Sequence, residues 1–478
     1  MKDDSLNKLS LKNGRLAKIL NHKVVKAGSW YTFTNFFTMG ISFLTLPIFT
    51  RLLSTADYGI ANLYSSYLSI ITIVFSLDLV GSVTMAKFDF KEDYDQFLSS
   101  TLFLAIISFT FFSAILLFFQ NSFSKILDLD NTLIYLLIIH SFASFVQNFV
   151  FAKFRVEYNY KKISIIQIIN SILGVVLAIV LITQVFKDNK YYGKILGGAL
   201  PVIFFGFILM FYVLIKGKKF VNKEYWKYAL IISLPLIFHS LAGIINAHFD
   251  RIAINKYIGA EETGIYSFAY NLGAIINVLW VSTNQAWVPW FYEKMDVSDF
   301  STIQKRAKNF RDFFTLAYIL ILFLSPEIIK IMSDKAYWGG LSVVPFIFMA
   351  YYFNLMYSFE VNVEFYEKKT HMISIGTILA AALNVVLNII FIPKYGYVAA
   401  AITTVVSNFA LFIFHFFITN YWLKIKIFGM KFHMVSLLYV CVSTVAFLVL
   451  QNYLVLRLAV LALTLIFLYI KYKKRQID

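Results

Sequence analysis

Few residues in this chain have chemistry to offer, and nearly all of those sit inside or beside long apolar runs. Asp250 and Arg251 are neighbours at the end of one such run. Stepping back from Asp250 by three or four residues reaches Asn246, Gly243 and His239, which share one face of a helix. An arginine there can grip a phosphate or carboxylate through its planar fork, while the adjacent carboxylate orients it. The plain alternative is a pair of charges reaching back to water. Asn35 in the first apolar run and Asn277 in the eighth are amides that need partners once buried. Arg51 and Lys256 each close an apolar run, as interfacial anchors or as two cations facing a diphosphate. Asp78 in the second run and Glu360 in the tenth are carboxylates able to take a coupling proton or sodium ion. Glu364, one turn beyond Glu360, falls at the expected aqueous rim. His140 and His415 read as packing residues, and Arg457 as a snorkelling side chain.

Other chemistries find no support. No GxxxxGK[ST] phosphate loop, HExxH zinc pair or GxSxG nucleophile turn occurs. Cys441 is the single cysteine, so no internal disulfide and no thiolate metal cage can form. No cofactor, no metal and no enzyme activity is expected.

The elements that carry these residues must be membrane helices. Of 478 residues, 59% are hydrophobic and only 14% charged, too few charges to clothe a water-soluble core of this size. Apolar runs of about 20 residues suffice to span hydrocarbon about 30 Å thick. Only helices and closed barrels satisfy the backbone in lipid, and the short alternation of a barrel is absent. Fourteen spans are expected, near 28–50, 58–82, 97–119, 131–152, 163–185, 195–215, 228–249, 263–289, 312–332, 341–363, 371–392, 397–419, 432–450 and 453–470. The larger connections fall at 83–96, 216–227 and 290–311. The net charge of +17 collects in the short connections between spans, so nucleic acid is not an expected partner. Roughly three quarters of the Lys and Arg fall on one side if both termini are cytoplasmic.

The chain also repeats itself. A slide of about 205 positions sets Arg51 on Lys256, Ser54 on Gly259, Asp57 on Glu262, Gly59 on Gly264 and Ile60 on Ile265. Farther on, a slide of about 210 sets Glu157 on Glu367 and Ile163-Ser164-Ile165 on Ile373-Ser374-Ile375. The expected organisation is a basic cytoplasmic segment (1–27), an amino-terminal lobe of six spans (28–215), a cytoplasmic linker (216–227) and a carboxy-terminal lobe of six spans (228–419). Two further spans and a basic cytoplasmic tail follow (420–478). The fold class is an all-α integral membrane protein: about fourteen transmembrane helices in two pseudo-symmetric six-helix lobes plus two C-terminal helices. Repeated membrane halves commonly hold substrate where they meet. Thr34, Thr38, Ser42 and Thr45 in the first span, and Asn62, Ser65, Ser69, Thr72 and Ser76 in the second, suit a polar cleft or close helix packing.

The stretches LPIFTRLLSTADYGIANLYSSYLSII and SLPLIFHSLAGIINAHFDRIAINKYIGAEETGIYSFAYNLG resemble the polysaccharide (O-antigen and capsule) flippases of the multidrug/oligosaccharidyl-lipid/polysaccharide exporter superfamily. The second is the more specific, with Pro235 inside the span, Asp250-Arg251, Gly259 and Glu262-x-Gly264-Ile265-Tyr266-Ser267. The resemblance implies a transporter that carries an undecaprenyl-diphosphate-linked oligosaccharide across the bacterial cytoplasmic membrane by alternating access, coupled to H+ or Na+. Membrane lipids, and other polysaccharide-assembly proteins, are the implied partners. Its cationic residues would be Arg51, Arg251 and Lys256. The first span departs from a strongly cationic cavity, and an Asn/Ser/Tyr-lined sugar path fits better. A drug or organic-cation antiporter and a lipid II-type flippase are the alternatives on the same architecture.

Overall fold

The computed structural model describes residues 23–475, with side chains from 30 to 466. Most of the expected basic segment 1–27 and the last residues of the tail lie outside the described residues. Among the described residues there is no strand. The helices are α1 (Lys23–Leu52), α2 (Thr55–Ser76), α3 (Val80–Asp89), α4 (Tyr94–Phe118), α5 (Gln120–Leu127), α6 (Asn131–Val156), α7 (Tyr160–Val180) and α8 (Lys190–Gly217). They continue as α9 (Lys223–Tyr257), α10 (Ala260–Asp296), α11 (Phe300–Met332), α12 (Val344–Tyr366), α13 (Thr370–Tyr395), α14 (Tyr397–Phe417), α15 (Met430–Leu450) and α16 (Leu454–Arg475). Single π-helical turns extend α7 (Leu181–Val185) and α14 (Ile418–Trp422).

Every one of the fourteen expected stretches carries a helix. Twelve are long and apolar enough to cross a membrane. A thirteenth is the bent pair Lys335–Ser342 with Val344–Tyr366, which turns by 53°. The fourteenth, Leu454–Ile466, is a shorter apolar helix. Two expected connections prove helical. Residues 83–96 hold most of the short α3. Residues 290–311 are the ends of α10 and α11, because Ile303, Ala307 and Phe314 keep a helical spacing of buried positions after the hydropathy has fallen. At 1.5 Å per residue, α9, α10 and α11 are each about 50 Å long, well beyond the hydrocarbon thickness. Asp299 caps α11 by accepting from Thr302 N at 3.2 Å. The Thr302 bonds, with Lys294 beside them, hold its carboxyl below the usual range.

The chain divides into two compact units, one formed by the chain up to Thr45 with Tyr67–Ser240, the other by Leu46–Ser66 with the chain from Leu241. In the first, α8 packs along α6 and α7 through small residues. A Cβ on Gly197 would lie 2.3 Å from Ala178 N, and one on Gly206 would lie 2.7 Å from Ala143 Cβ. The buried Lys153 pairs with Asp95, which also takes Lys216 at 3.0 Å, tying α4, α6 and α8 at one end.

The second unit contains both hairpins of the repeat, and they lock reciprocally. A Cβ on Gly59 would lie 1.9 Å from Ala260 O, and one on Gly264 would lie 1.8 Å from Thr55 O. Gly59 and Gly264 are matched positions of the repeat, as are Thr55 and Ala260. Each hairpin therefore offers a glycine to the carbonyl at the other's helix start. The two helix starts are matched in position but capped differently. Asp57 N donates to Ser54 Oγ at 3.1 Å while Ser54 N donates to Asp57 Oδ2 at 3.2 Å, a capping box. In the second copy Gly259 stands for Ser54 with φ +145°, a conformation that favours glycine. Arg51 and Thr50 close the end of α11 by donating to Ile331 O at 2.8 Å and Met332 O at 2.9 Å.

Candidate functional site

Asp250 and Arg251 stand next to each other on α9 and turn to different surroundings. Asp250 is 1% exposed. Its Oδ2 accepts from Tyr266 Oη at 2.5 Å and Thr404 Oγ1 at 2.7 Å, and its Oδ1 accepts from Asn388 Nδ2 at 2.6 Å. Asn388 is held in turn: it donates to Asn384 Oδ1 at 3.0 Å and accepts from the Thr403 hydroxyl. The acid is thus encircled by neutral donors from α10, α13 and α14. Those donors satisfy both carboxyl oxygens in a place that offers them no water. Arg251, 4% exposed, lays its guanidinium over the Tyr270 ring at 4.4 Å and donates to Ala247 O at 2.9 Å. Tyr270 lies against Tyr351 of α12, ring centres 5.6 Å apart. One turn back, Asn246 donates to Asn408 Oδ1 at 3.3 Å, leaving its own Oδ1 buried with no partner among the described residues. The shared helical face expected for Asn246 and Asp250 therefore opens on one polar seam made by α9, α10, α12, α13 and α14.

The other expected residues are dispersed. Arg51 is exposed and donates to Ile331 O of α11 at 2.8 Å and to Pro47 O at 3.0 Å. Lys256 is exposed, with its ammonium 5.9 Å from the Tyr257 ring. Asn277 is half-buried on α10. Asn35 is exposed on α1, where its carbonyl accepts from Thr38 Oγ1 at 3.1 Å. Asp78 sits where the expected second span breaks. Leu77 and Asp78 take φ of 54° and 48°, and α2 stops at Ser76. Left-handed backbone costs about 1–2 kcal/mol per residue outside glycine. Asp78 Oδ2 accepts from Ser240 Oγ at 2.7 Å, and nearby His239 keeps a buried Nδ1 with no partner among the described residues.

Glu360 lies in a second buried polar group. Its Oε1 meets His433 Nε2 at 2.6 Å, and its Oε2 accepts from the Thr419 hydroxyl. Glu364, one turn on, meets His415 Nδ1 at 2.6 Å. Glu364 is 0% exposed, one residue short of the exposed end of α12. Two readings from sequence are corrected here. His415 is an acid's partner and not a mere packing residue. Arg457, 3% exposed, pairs with Glu327 through bonds of 2.5 and 2.7 Å and donates to Phe323 O, joining α16 to α11 instead of snorkelling. Asn384, Asn388, Thr404, Asn408 and His433 escaped the sequence reading, and Tyr266 entered it only as part of the motif. Asn384 and Asn388, four apart in an apolar run, carried the signal that could have found them.

Residues 24–295 match the polysaccharide biosynthesis protein family. A protein of the Lsg locus of Haemophilus influenzae is 25% identical over 358 residues, covering 72% of this chain and 85% of its own. Among solved structures, the lipid II flippase MurJ in an inward closed conformation superposes with a TM-score of 0.71 at 18% identity, over 94% of this chain and 99% of its own. An inward-facing multidrug resistance MATE transporter of the MOP superfamily superposes with a TM-score of 0.57 at 15% identity, over 81% of this chain and 94% of its own. At these identities the superpositions speak for the fold. The family match spans more than half of the chain, so this is a multi-pass, all-α membrane protein with the fold of those transporters, and it belongs to the polysaccharide biosynthesis protein family.

Proposed function

We propose that the chain is a flippase for an undecaprenyl-diphosphate-linked oligosaccharide, the repeat unit of an O-antigen, capsule or exopolysaccharide. It works in the bacterial cytoplasmic membrane with both termini in the cytoplasm. The observation that carries this reading is the family match over residues 24–295. The physics agrees. A glycan and a diphosphate cannot cross about 30 Å of hydrocarbon without a polar path, while the prenyl tail is at home in lipid. The seam of α9 and α10 supplies amides and tyrosines for sugar hydroxyls and faces. Arg251 is the cation proposed for the diphosphate, with Asn246 and Asn277 for the glycan; Asp250 holds the seam together around them. Arg51, Lys256 and Asn35 serve entry or exit of the head group. Movement is by alternating access and is ion-coupled, with Asp78 and Glu360 as carboxylates for the ion. Other polysaccharide-assembly proteins hand over and receive the lipid-linked glycan.

The test is a deletion strain in which the leaflet holding the lipid-linked oligosaccharide is assayed. Inner-leaflet accumulation with loss of surface glycan, reversed by this gene, is the expected result. Normal glycan with altered sensitivity to cationic drugs would replace this reading by that of an antiporter. Accumulated lipid II would move the substrate to the cell-wall precursor.

A further inference from the structure

Two acid–imidazole pairs lie one helical turn apart on α12, in the interior of the second unit. Glu360 is 1% exposed, Glu364 0%, His415 0% and His433 1%. Each pair places a carboxylate oxygen 2.6 Å from a ring nitrogen, a distance at which one hydrogen is shared between them. The pairs reach different helices: His415 belongs to α14, His433 to α15.

Thr419 joins them. It lies on the π-helical turn Ile418–Trp422, an irregularity that recurs at functional sites. Its hydroxyl contacts Glu360 Oε2 and lies 3.1 Å from the carbonyl of His415, the residue whose ring binds Glu364. A hydroxyl has one hydrogen and can also accept. When Glu360 is ionised, Thr419 donates to it. When a proton from water adds to Glu360 Oε2, Thr419 rotates to donate to the His415 carbonyl and accepts from the new O–H. Both states are hydrogen-bonded without movement of the backbone.

The group also has unused capacity. Glu364 Oε2, His415 Nε2 and His433 Nδ1 are buried and make no hydrogen bond among the described residues. A group built only to tie helices together would satisfy these atoms, since each orphaned polar atom costs about 1–3 kcal/mol. Gly376 of α13 lies against His415 Nε2, where a Cβ would come within 2.4 Å, so that nitrogen is walled from lipid.

Aromatic rings, a committed arginine and an exposed lysine stand on the helices around the pairs. On α12, Tyr357 sets its ring edge-on to His415, centres 4.9 Å apart. On α11, Arg311 is committed to Asp312 at 2.8 Å and to the carbonyl of Phe432 at 3.3 Å, next to His433. On α15, Lys431 is exposed. On α10, Trp287 packs on Phe359. The exposed end of α12 begins at Phe365, one residue past Glu364, which gives water a short approach.

We infer that Glu360–His433 and Glu364–His415, linked by Thr419, are a proton-binding site, and that protons are the ion coupled to the transport proposed above. The inference rests on that reading for its purpose, not for its test. Purified full-length protein in detergent is titrated potentiometrically between about pH 5 and 8, the range in which histidine changes charge. Glu360→Gln and Glu364→Gln are measured beside it, with thermal unfolding as a check of fold. Each variant is expected to exchange about one proton fewer than the wild type. Identical titration of wild type and variants would overturn the proposal. Nitrogen-15 NMR of the wild-type histidine rings needs no variant: His415 and His433 should change protonation in this range, and rings with one fixed state throughout would also overturn it. If wild-type vesicles fail to flip lipid-linked oligosaccharide, the transport reading falls while the titration stands.

Discussion

The reciprocal glycine lock of the second unit is open to a direct test through Gly59→Ala and Gly264→Ala. The added Cβ would lie 1.9 Å from Ala260 O in one case and 1.8 Å from Thr55 O in the other. Ordinary contact begins near 3.4 Å, so the helix starts must part by about 1.5 Å. The atoms met are backbone carbonyls, and no side-chain rotation relieves them. Overpacking of this kind costs about 1–3 kcal/mol, more where backbone must move, and alanine's better helix propensity returns about 1 kcal/mol. Each substitution should therefore lose about 2 kcal/mol. Both clashes belong to one helix–helix approach, so a gap opened by the first relieves part of the second. The double variant should lose about 3 kcal/mol, less than the sum. Gly198→Ala is the control, since nothing lies within 4 Å of its Cβ position, and it should be neutral or slightly stabilising. Thermal unfolding of the four purified variants reads the order. Gly59→Ala and Gly264→Ala as stable as Gly198→Ala, or a strictly additive double variant, would refute the reasoning.

Three further outcomes are expected. Arg251→Ala should abolish glycan export with the protein still at normal level in the membrane, and Arg251→Lys should reduce it at least tenfold, because an ammonium cannot lie flat on Tyr270 or bind a phosphate with two prongs; full export in both would remove Arg251 from the path. Arg457→Met should lose about 2–3 kcal/mol by stranding Glu327 and the Phe323 carbonyl, and Glu327→Gln made on top of it should add less than it does alone, a coupling that a double-mutant cycle reads in unfolding temperatures. Asp299 has a folded pKa below its unfolded value of about 3.9, so it supports the turn between α10 and α11 above that pH and its contribution is lost as pH falls through the lower folded value; proteolysis at residues 297–300 should stay slow at neutral pH and rise only in acid, and Asp299→Asn should remove that pH dependence.

Hydropathy alone determined that this is a helical membrane protein, because a span must satisfy its backbone locally and bare its side chains to lipid, and both demands are written in consecutive residues. The repeat was legible for a similar reason: Ser54-x-x-Asp57 and Gly259-x-x-Glu262 are matched local stretches at helix starts, and their spacing survives in the chain. The ends of the spans were less legible. The stretch 290–311 looked like a connection because hydropathy falls there, yet α10 and α11 run on as helices in which only one face is buried. The break after Ser76 gave little warning, since Leu77 does not favour a left-handed backbone and an aspartate such as Asp78 visits one only now and then. Asp250, Arg251 and Glu360 stood out as charges in apolar surroundings, which is a property of sequence. Their partners did not. Asp250 meets Tyr266, Asn388 and Thr404, and Glu360 meets Thr419 and His433, across separations of up to about 150 residues. Local pattern records that a buried polar atom must be satisfied. Which atom satisfies it depends on which helices lie side by side, and only the tertiary structure decides that.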